Sequence, residues 1–271
     1  MNRILCSTGA LIGRPNGRNY RLLTQCIREL ECDGFEFLMY STWRDEIEEM
    51  KSFLCSLSVD FPVFHIEKSV GNLISRDNEG DVEQAISMFE TNCAIARGIG
   101  SEKLVLHLWG GIDSDKNIKN NFECYKTLKS IADGYGLALT VENVVCNQRD
   151  PHTHLKELVE LYPDVRFTYD TKMAEFHSQS ALIYLPESND VFERISHLHI
   201  NDYSGGYMDW SNLKTIGIGE GQVDFARLFG FLRQKGYSGD FTVEATSFGE
   251  DGVIDFARLN RCFSRIREYI K

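Results

Sequence analysis

Four residues in the second half of the chain have side chains that bind divalent metal ions. They are Glu142, Asp170, His199 and Glu244, separated by 28, 29 and 45 residues. Three carboxylates and one imidazole form a hard donor set, which favours Mn²⁺, Mg²⁺ or Co²⁺, with Zn²⁺ still open. An ion held by these residues would polarise a carbonyl oxygen of a substrate. The sequence therefore predicts one divalent metal ion as a cofactor, provided that the fold brings the four side chains together.

The first two of these spacings match one strand followed by one helix. Short apolar runs alternate with helical stripes along the whole sequence, which predicts an α/β protein with a parallel sheet closed into a single-domain (β/α)8 barrel over residues 1–271. An open, doubly wound sheet is the competing fold. The eight predicted strands are residues 4–7, 35–40, 62–67, 103–109, 137–143, 165–170, 195–201 and 240–245.

The predicted strands carry apolar residues on one face and polar residues on the other. Because side chains alternate along a strand, one set faces the helices and the other faces the barrel interior. The predicted inward set contains ionisable groups near the carboxyl ends of the strands, where barrel enzymes build their active sites. Adjacent strands bring such groups onto one point, and a cation would relieve the repulsion between the carboxylates. The alternative is a set of separate buried polar residues, each satisfied by hydrogen bonds or salt bridges. The inward residues are Val105, His107, Trp109, Thr140, Glu142, Thr168, Asp170, His197, His199, Thr242 and Glu244.

Five further residues near the strand ends are candidates for substrate binding. His65 and His107 end the third and fourth strands, and His197 shares the interior with His199. Trp109 offers an apolar wall for a sugar face, although core packing explains it nearly as well. Lys172 follows Asp170 by two residues and could hold an oxyanion or phosphate, or lie in a solvated loop.

Composition narrows the range of partners and compartments. The 271 residues carry 29 Lys and Arg against 40 Asp and Glu, a net charge of −11, which disfavours nucleic acid and anionic membranes as partners. The eight cysteines contain no C-x-x-C pair, so we expect reduced thiols and a cytoplasmic protein. No apolar run approaches the ~18 residues that a membrane span needs. Helix faces of such a barrel could support a homo-oligomer.

Five motifs, in order along the second half of the chain, resemble the xylose-isomerase-like barrel superfamily. The group includes sugar phosphate isomerases and epimerases, ketose 3-epimerases and endonuclease IV. The resemblance implies that Glu142, Asp170, His199 and Glu244 bind one divalent metal and that Glu142 and Glu244 also move protons. The motifs are TVEN at 140–143, YDT at 169–171, HLHIND at 197–202, IGEGQVDF at 218–225 and VE at 243–244.

The resemblance implies an isomerase or epimerase that acts on a small sugar, sugar phosphate or polyol through an enediolate. Met173 stands where ketose epimerases place a substrate-binding histidine, and Gln148 stands where they have an acidic residue, so free-sugar 3-epimerisation is in doubt. A lyase or dehydratase acting on an oxidised sugar or an inosose is the main alternative. An endonuclease IV-like phosphodiesterase would need more histidines to hold three metals than this chain offers, because residues 209–215 contain no histidine. A non-catalytic sugar-binding barrel would be expected to have lost a ligand, and all four are present.

Overall fold

The computed structural model describes residues 2–271 and contains a closed barrel of eight parallel strands in sequence order. The last strand pairs with the first, with Leu5 opposite Thr242. This closure confirms the predicted (β/α)8 fold and excludes the open doubly wound sheet. The strands are β1 (Ile4–Ser7), β2 (Gly34–Leu38), β3 (Val63–His65), β4 (Lys103–Leu106), β5 (Ala138–Glu142), β6 (Arg166–Asp170), β7 (Ile195–His199) and β8 (Asp240–Val243).

Helices surround the barrel, and several begin at an aspartate that accepts a backbone N–H of the first turn. Asp150, Asp224 and Asp255 each accept a hydrogen bond of 2.8–2.9 Å in this way, which satisfies one otherwise unpaired donor. The helices are α1 (Leu23–Glu29), α2 (Ile47–Ser56), α3 (Ser69–Arg76), α4 (Asp81–Gly98), α5 (Ile118–Gly134), α6 (Pro151–Leu161), α7 (Thr171–Phe176), α8 (Asn189–Phe192), α9 (Phe225–Gln234) and α10 (Phe256–Ile270).

The barrel separates two apolar clusters of very different size. The main core lies between strands and helices and includes the outward residues Leu104, Leu139 and Phe167. Inside the barrel, Leu5, Val63 and Val105 form a small separate cluster. The rest of the interior is largely polar, so the predicted alternation of outward apolar and inward polar side chains is observed within the strands.

A loop after β7 is fixed by one buried carboxylate. Asp202 accepts hydrogen bonds from the backbone N–H groups of Tyr203, Gly219, Gly221 and Val223 at 2.8–3.0 Å. These bonds tie the glycine-rich segment before α9 to the carboxyl end of the barrel. The same segment approaches the β7 end closely, because a Cβ on Gly221 would lie 2.3 Å from the Tyr203 carbonyl oxygen.

We expect Asp202→Ala to lower the free energy of unfolding by about 2–4 kcal/mol, because it leaves several backbone donors without their acceptor. Urea unfolding followed by circular dichroism measures this. Asp255→Ala, which removes an exposed helix cap, is the matched control and should cost about 1 kcal/mol. A loss in Asp202→Ala no larger than in the control would contradict the role given to this carboxylate.

Within residues 2–271, no helix combines the length and the apolar character needed to cross a membrane.

Candidate metal centre

The four predicted ligands lie together at the carboxyl end of the barrel. Glu142, Asp170 and His199 are the last residues of β5, β6 and β7, and Glu244 follows β8 directly. One potential ligand atom from each lies within 4.8 Å of those from the others. The geometry thus brings four side chains from four consecutive strand ends to one point.

His199 stands at the centre of this group. Its Nδ1 lies 3.0 Å from Glu142 Oε1, 3.4 Å from Glu244 Oε2 and 3.9 Å from Asp170 Oδ2. The side chains of His199 and Asp170 are fully buried and that of Glu142 is nearly so, whereas the Glu244 side chain is 15% exposed. Glu244 is therefore the most open of the three carboxylates to a molecule entering from the barrel mouth.

Asn201 and Asn143 hold Asp170 in place, the first through its carboxylate and the second through its backbone. Asn201 Nδ2 donates to Asp170 Oδ2 at 2.9 Å and to Glu244 Oε2 at 3.0 Å. Asn143 Oδ1 accepts the backbone N–H of Asp170 at 2.6 Å. Asn143 belongs to the TVEN motif and Asn201 to the HLHIND motif, but neither motif indicates this role from residue type and spacing alone.

Glu36 of β2 is a functional candidate that sequence reasoning missed. This fully buried carboxylate lies across the barrel interior from β7, with its Oε2 3.1 Å from His199 Nε2 and 2.9 Å from His197 Nε2. Thr242 Oγ1 donates to the same oxygen at 3.0 Å. The available signal was a charged residue between Phe35 and Phe37 in an otherwise apolar strand.

The hydrogen bonds of His199 leave room for a cation on its Nδ1 side. A neutral imidazole carries one N–H, and donation from Nε2 to Glu36 leaves an Nδ1 lone pair facing three carboxylates. Burial lowers the pKa of His199, but the charges of Glu244, Glu36 and Glu142 outweigh it and raise the pKa well above its usual value. This point therefore favours a positive charge, which either a proton or a bound metal ion supplies, so the donor set fits a divalent ion.

The carboxylates respond to their surroundings in different ways. Burial raises the pKa of Asp170 to about 6, with Lys172 opposing that shift and Glu142 and Glu244 adding to it. Burial also acts on Glu142, but the neighbouring imidazoles of His107 and His199 outweigh it and hold the pKa of Glu142 well below its usual value. Crowding of like charges beside a partly compensating lysine is typical of a site that binds a cation.

His65 and His107 form a second cluster that shares Glu142. Glu142 Oε2 lies 2.7 Å from His107 Nε2 and 3.5 Å from His65 Nε2, yet this oxygen and His65 Nε2 make no hydrogen bond within residues 2–271. His65 Nδ1 contacts the Ile66 carbonyl oxygen at 2.8 Å, which directs Nε2 toward the site. Both histidines, predicted to bind substrate, thus line the candidate centre.

The other three candidates for substrate binding are placed differently. Lys172 is buried in α7, and its Nζ donates to Thr215 Oγ1 at 2.8 Å while its charge acts on Asp170 and Glu244. His197 lies one layer deeper in the barrel than His199, bonded to Glu36. Trp109 is fully buried in the main core, where its indole N–H donates to the Val144 carbonyl oxygen. The structure brings Lys172 close to the centre, keeps His197 beneath it, and packs Trp109 in the main core.

A third group of potential ligands, Asp115, Cys146 and His154, comes from the segments after β4 and β5 and from α6. The Asp115 carboxylate already accepts the backbone N–H groups of residues 147, 148 and 149 and contacts His154 Nε2 at 3.0 Å. This cluster therefore fixes the loop between β5 and α6, and its oxygens have no need of a metal.

Comparison with known proteins places this geometry in context. A curated relative, the uncharacterized protein MJ1311 of Methanocaldococcus jannaschii, is 27% identical over 157 residues, which is 54% of this chain and 51% of that protein. The chain thus spans about half the length of the curated relative it matches.

Several solved structures have the same fold over nearly the whole chain. A D-tagatose 3-epimerase-like protein is 21% identical, with a TM-score of 0.72 and coverage of 99% of this chain and 97% of that one. D-allulose 3-epimerase from Methylomonas sp., in complex with D-allulose, is 15% identical with a TM-score of 0.73 and the same coverage. The IolI protein with a binding zinc atom is 16% identical, with a TM-score of 0.73 and coverage of 99% and 98%.

The family comparison extends over most of the sequence. Residues 25–259 match the family described as Xylose isomerase-like TIM barrel, and this range contains all four predicted ligands. The chain therefore belongs to the xylose isomerase-like TIM barrel family.

Proposed function

We propose that the protein is a divalent-metal-dependent isomerase or epimerase of a small sugar or polyol derivative with a carbonyl next to a hydroxyl group. The observation that carries this proposal is the convergence of three carboxylates and one imidazole at the barrel mouth. Family membership supports it, as do the epimerases with the same fold, one of which holds D-allulose.

Glu142, Asp170, His199 and Glu244 would hold the metal ion. When bound, a divalent ion there supplies Lewis acidity toward the carbonyl and hydroxyl oxygens of the substrate and stabilises an enediolate. The oxygen-rich donor set favours Mn²⁺, Mg²⁺ or Co²⁺, and the zinc-bound neighbour keeps Zn²⁺ among the candidates.

Glu142 and Glu244 would move the proton. They stand at the ends of β5 and β8, with β6 and β7 between them, so they face a substrate from different sides of the barrel mouth. One carboxylate takes a proton from the carbon next to the carbonyl, and the other returns a proton on the opposite face or at the neighbouring carbon. The first outcome is epimerisation and the second is isomerisation between aldose and ketose.

Neighbouring side chains would orient the substrate. Lys172 places a positive charge beside Asp170 and Glu244, where it can stabilise a substrate oxyanion. His65 and His107 line the side of the centre toward β3 and β4 and offer ring nitrogens to hydroxyl groups. Their position next to Glu142 fits the substrate-binding role predicted for them.

The test is proton exchange with solvent. The purified chain is stripped with a chelator, reloaded separately with Mn²⁺, Mg²⁺, Co²⁺ or Zn²⁺, and incubated in deuterated water with ketoses, sugar phosphates and inososes. We expect deuterium at the carbon next to the carbonyl of at least one substrate, loss of this exchange in the stripped protein, and its return on reloading. Nuclear magnetic resonance measures exchange and identifies the product.

Other results would contradict the proposal. Absence of exchange across the panel, with bound metal verified by elemental analysis, would remove its basis. Loss of water from the exchanging substrate would identify a dehydratase instead. Three zinc ions per chain together with cleavage of abasic DNA would identify a phosphodiesterase of the endonuclease IV kind.

A further inference from the structure

A cavity of about 290 Å³ lies at the carboxyl end of the barrel, beside the candidate metal centre. It opens where β2 and β3 end. His65, the last residue of β3, has a ring nitrogen within 4.8 Å of carboxylate oxygens of Glu36 and Glu244. Its lining residues are Arg18, Leu38, Met39, Tyr40, Ser41, Glu67, Lys68 and Ser69.

Two cations of this lining have no acidic partner. Within residues 2–271, the side chains of Arg18 and Lys68 make neither a hydrogen bond nor an ion pair, and Arg18 Nε is buried without an acceptor. Unpaired buried donors are rare in folded proteins, because each one loses its bond to water. The lining therefore has unused capacity to bind negative charge, in a chain whose net charge is −11.

The acidic residue of the lining does not neutralise these cations. Glu67 is buried, and its carboxylate accepts bonds from Arg44 Nη2 at 2.5 Å, Ser69 Oγ at 2.9 Å and Asn92 Nδ2 at 3.1 Å. Because Arg44 compensates its charge, Glu67 leaves Arg18 and Lys68 available to a ligand.

Arg18 is held rigidly in a strained backbone conformation. Its φ angle is +50°, a left-handed value that is uncommon for a residue with a side chain. Its backbone N–H donates to Gly13 at 2.8 Å and its carbonyl oxygen accepts Trp43 Nε1 at 2.8 Å. The guanidinium lies 4.8 Å from the ring centre of Tyr40, whose hydroxyl is fixed on the Ile12 carbonyl oxygen. Such preorganisation is typical of a binding group rather than of a mobile surface arginine.

The cavity and the metal centre lie within electrostatic reach of each other. Burial raises the pKa of Tyr40, and the charges of Arg18 and Glu244 act on it in opposite directions. Burial lowers the pKa of His107, and the charge of Lys68 lowers it further. Leu38 of the lining is the last residue of β2, and Lys68 follows the end of β3 by three residues, so the cavity lies at the same end of the barrel as the carboxylate cluster. One small molecule can therefore be engaged at both places.

We propose that Arg18 and Lys68 bind an anionic group of the substrate, a phosphate ester or a carboxylate, while its hydroxy-carbonyl end lies at the metal centre. The placement of the hydroxy-carbonyl end at the metal centre rests on the proposed function, whereas the binding of an anion by Arg18 and Lys68 does not. A guanidinium and an ammonium fit the oxygens of either anion through charge-assisted hydrogen bonds. The substrate class is thus a sugar or polyol that carries a negative charge remote from the reacting carbon.

Three matched polyols test this proposal by calorimetric titration of the metal-loaded chain at low salt. Glycerol 3-phosphate carries a phosphate ester, glycerate carries a carboxylate, and glycerol carries no charge. We expect at least one anionic probe to bind with a Kd about tenfold or more below that of glycerol, and the better of the two identifies the anion. Arg18→Gln and Lys68→Gln should each remove most of this preference, since a charge-assisted bond contributes about a tenfold change in affinity.

Arg14→Gln is the matched control, because Arg14 is an exposed cation of the same loop that does not line the cavity. It should bind all three probes as the unsubstituted chain does. Lys68 is exposed, so Lys68→Gln tests the proposal even if Arg18→Gln disturbs the loop. Equal binding of charged and neutral probes, or an anion preference that survives both substitutions, would overturn the inference. Because no turnover is measured, this result is independent of the deuterium experiment.

Discussion

Replacing Glu142 or Glu244 by glutamine is expected to slow exchange of the substrate proton with solvent by about 10²–10⁴-fold in each case. Glutamine preserves the shape of the side chain and one potential oxygen ligand, but its amide cannot accept and return a proton at neutral pH. The two variants should differ in metal content. Glu142 belongs both to the four-residue centre and to the cluster with His65 and His107, whereas Glu244 is the more exposed ligand. We therefore expect Glu142→Gln to bind metal more weakly than Glu244→Gln.

The measurement combines deuterium incorporation with elemental analysis of the same samples. The control for loss of one charge is Glu90→Gln, because Glu90 is an exposed residue of α4 whose side chain makes no hydrogen bond or ion pair within residues 2–271. If Glu244→Gln retained both its metal and near-normal exchange, the assignment of Glu244 as an acid–base group would be wrong. If Glu142→Gln did so, the same conclusion would hold for Glu142.

The fold and the four central residues could be predicted because both depend on local periodicity. Alternation along a strand decides which side chains face inward, and the repeat length decides which strand ends are neighbours. Glu142, Asp170 and His199 are last residues of their strands, so strand counting alone places them at one height. No conserved motif was needed for that step, only the residue types and their spacing.

Trp109 shows that strand alternation does not predict side-chain direction beyond the end of a strand. The predicted fourth strand extends to residue 109, but β4 ends at Leu106. His107, one residue beyond, still points toward the centre, whereas Trp109, three residues beyond, turns into the main core. Alternation holds only while the backbone stays extended and paired with its neighbours, and the sequence does not mark where that pairing stops.

Glu36 escaped prediction for a different reason. Its contact with His199 joins residues 163 positions apart on strands that are not neighbours in the sheet. Such a contact exists only because the barrel closes and brings opposite walls within one side-chain length. Alternation along a single strand does not reveal which residue an inward side chain such as Glu36 meets across the interior. The cavity that Arg18 and Lys68 line could not be predicted for the same reason, because segments that follow β1, β2 and β3 create it together.

Glu36→Gln is expected to weaken metal binding at the four-residue centre by about 10–100-fold, the usual effect of losing an outer carboxylate partner of a metal-binding histidine. The carboxylate fixes the His199 ring through Nε2, so that Nδ1 faces Glu142, Asp170 and Glu244. An amide oxygen accepts that N–H more weakly, and the amide NH₂ offers a competing donor. Within residues 2–271, Glu36 makes no hydrogen bond to the three carboxylates, so it orients the centre through the imidazole, while its charge also acts directly on Glu244.

Competition with a chelator measures this affinity without any substrate. His197→Gln is the matched control, because it removes another partner of the same Glu36 oxygen without touching a predicted ligand, and we expect it to change metal affinity less. Urea unfolding of both metal-free variants separates loss of folding from loss of orientation. If Glu36→Gln bound metal as tightly as the unsubstituted chain, His199 would not need its buried partner. A weakened affinity with unchanged metal-free stability would instead identify Glu36 as a positioning residue, since a purely structural role alters stability before it alters the metal.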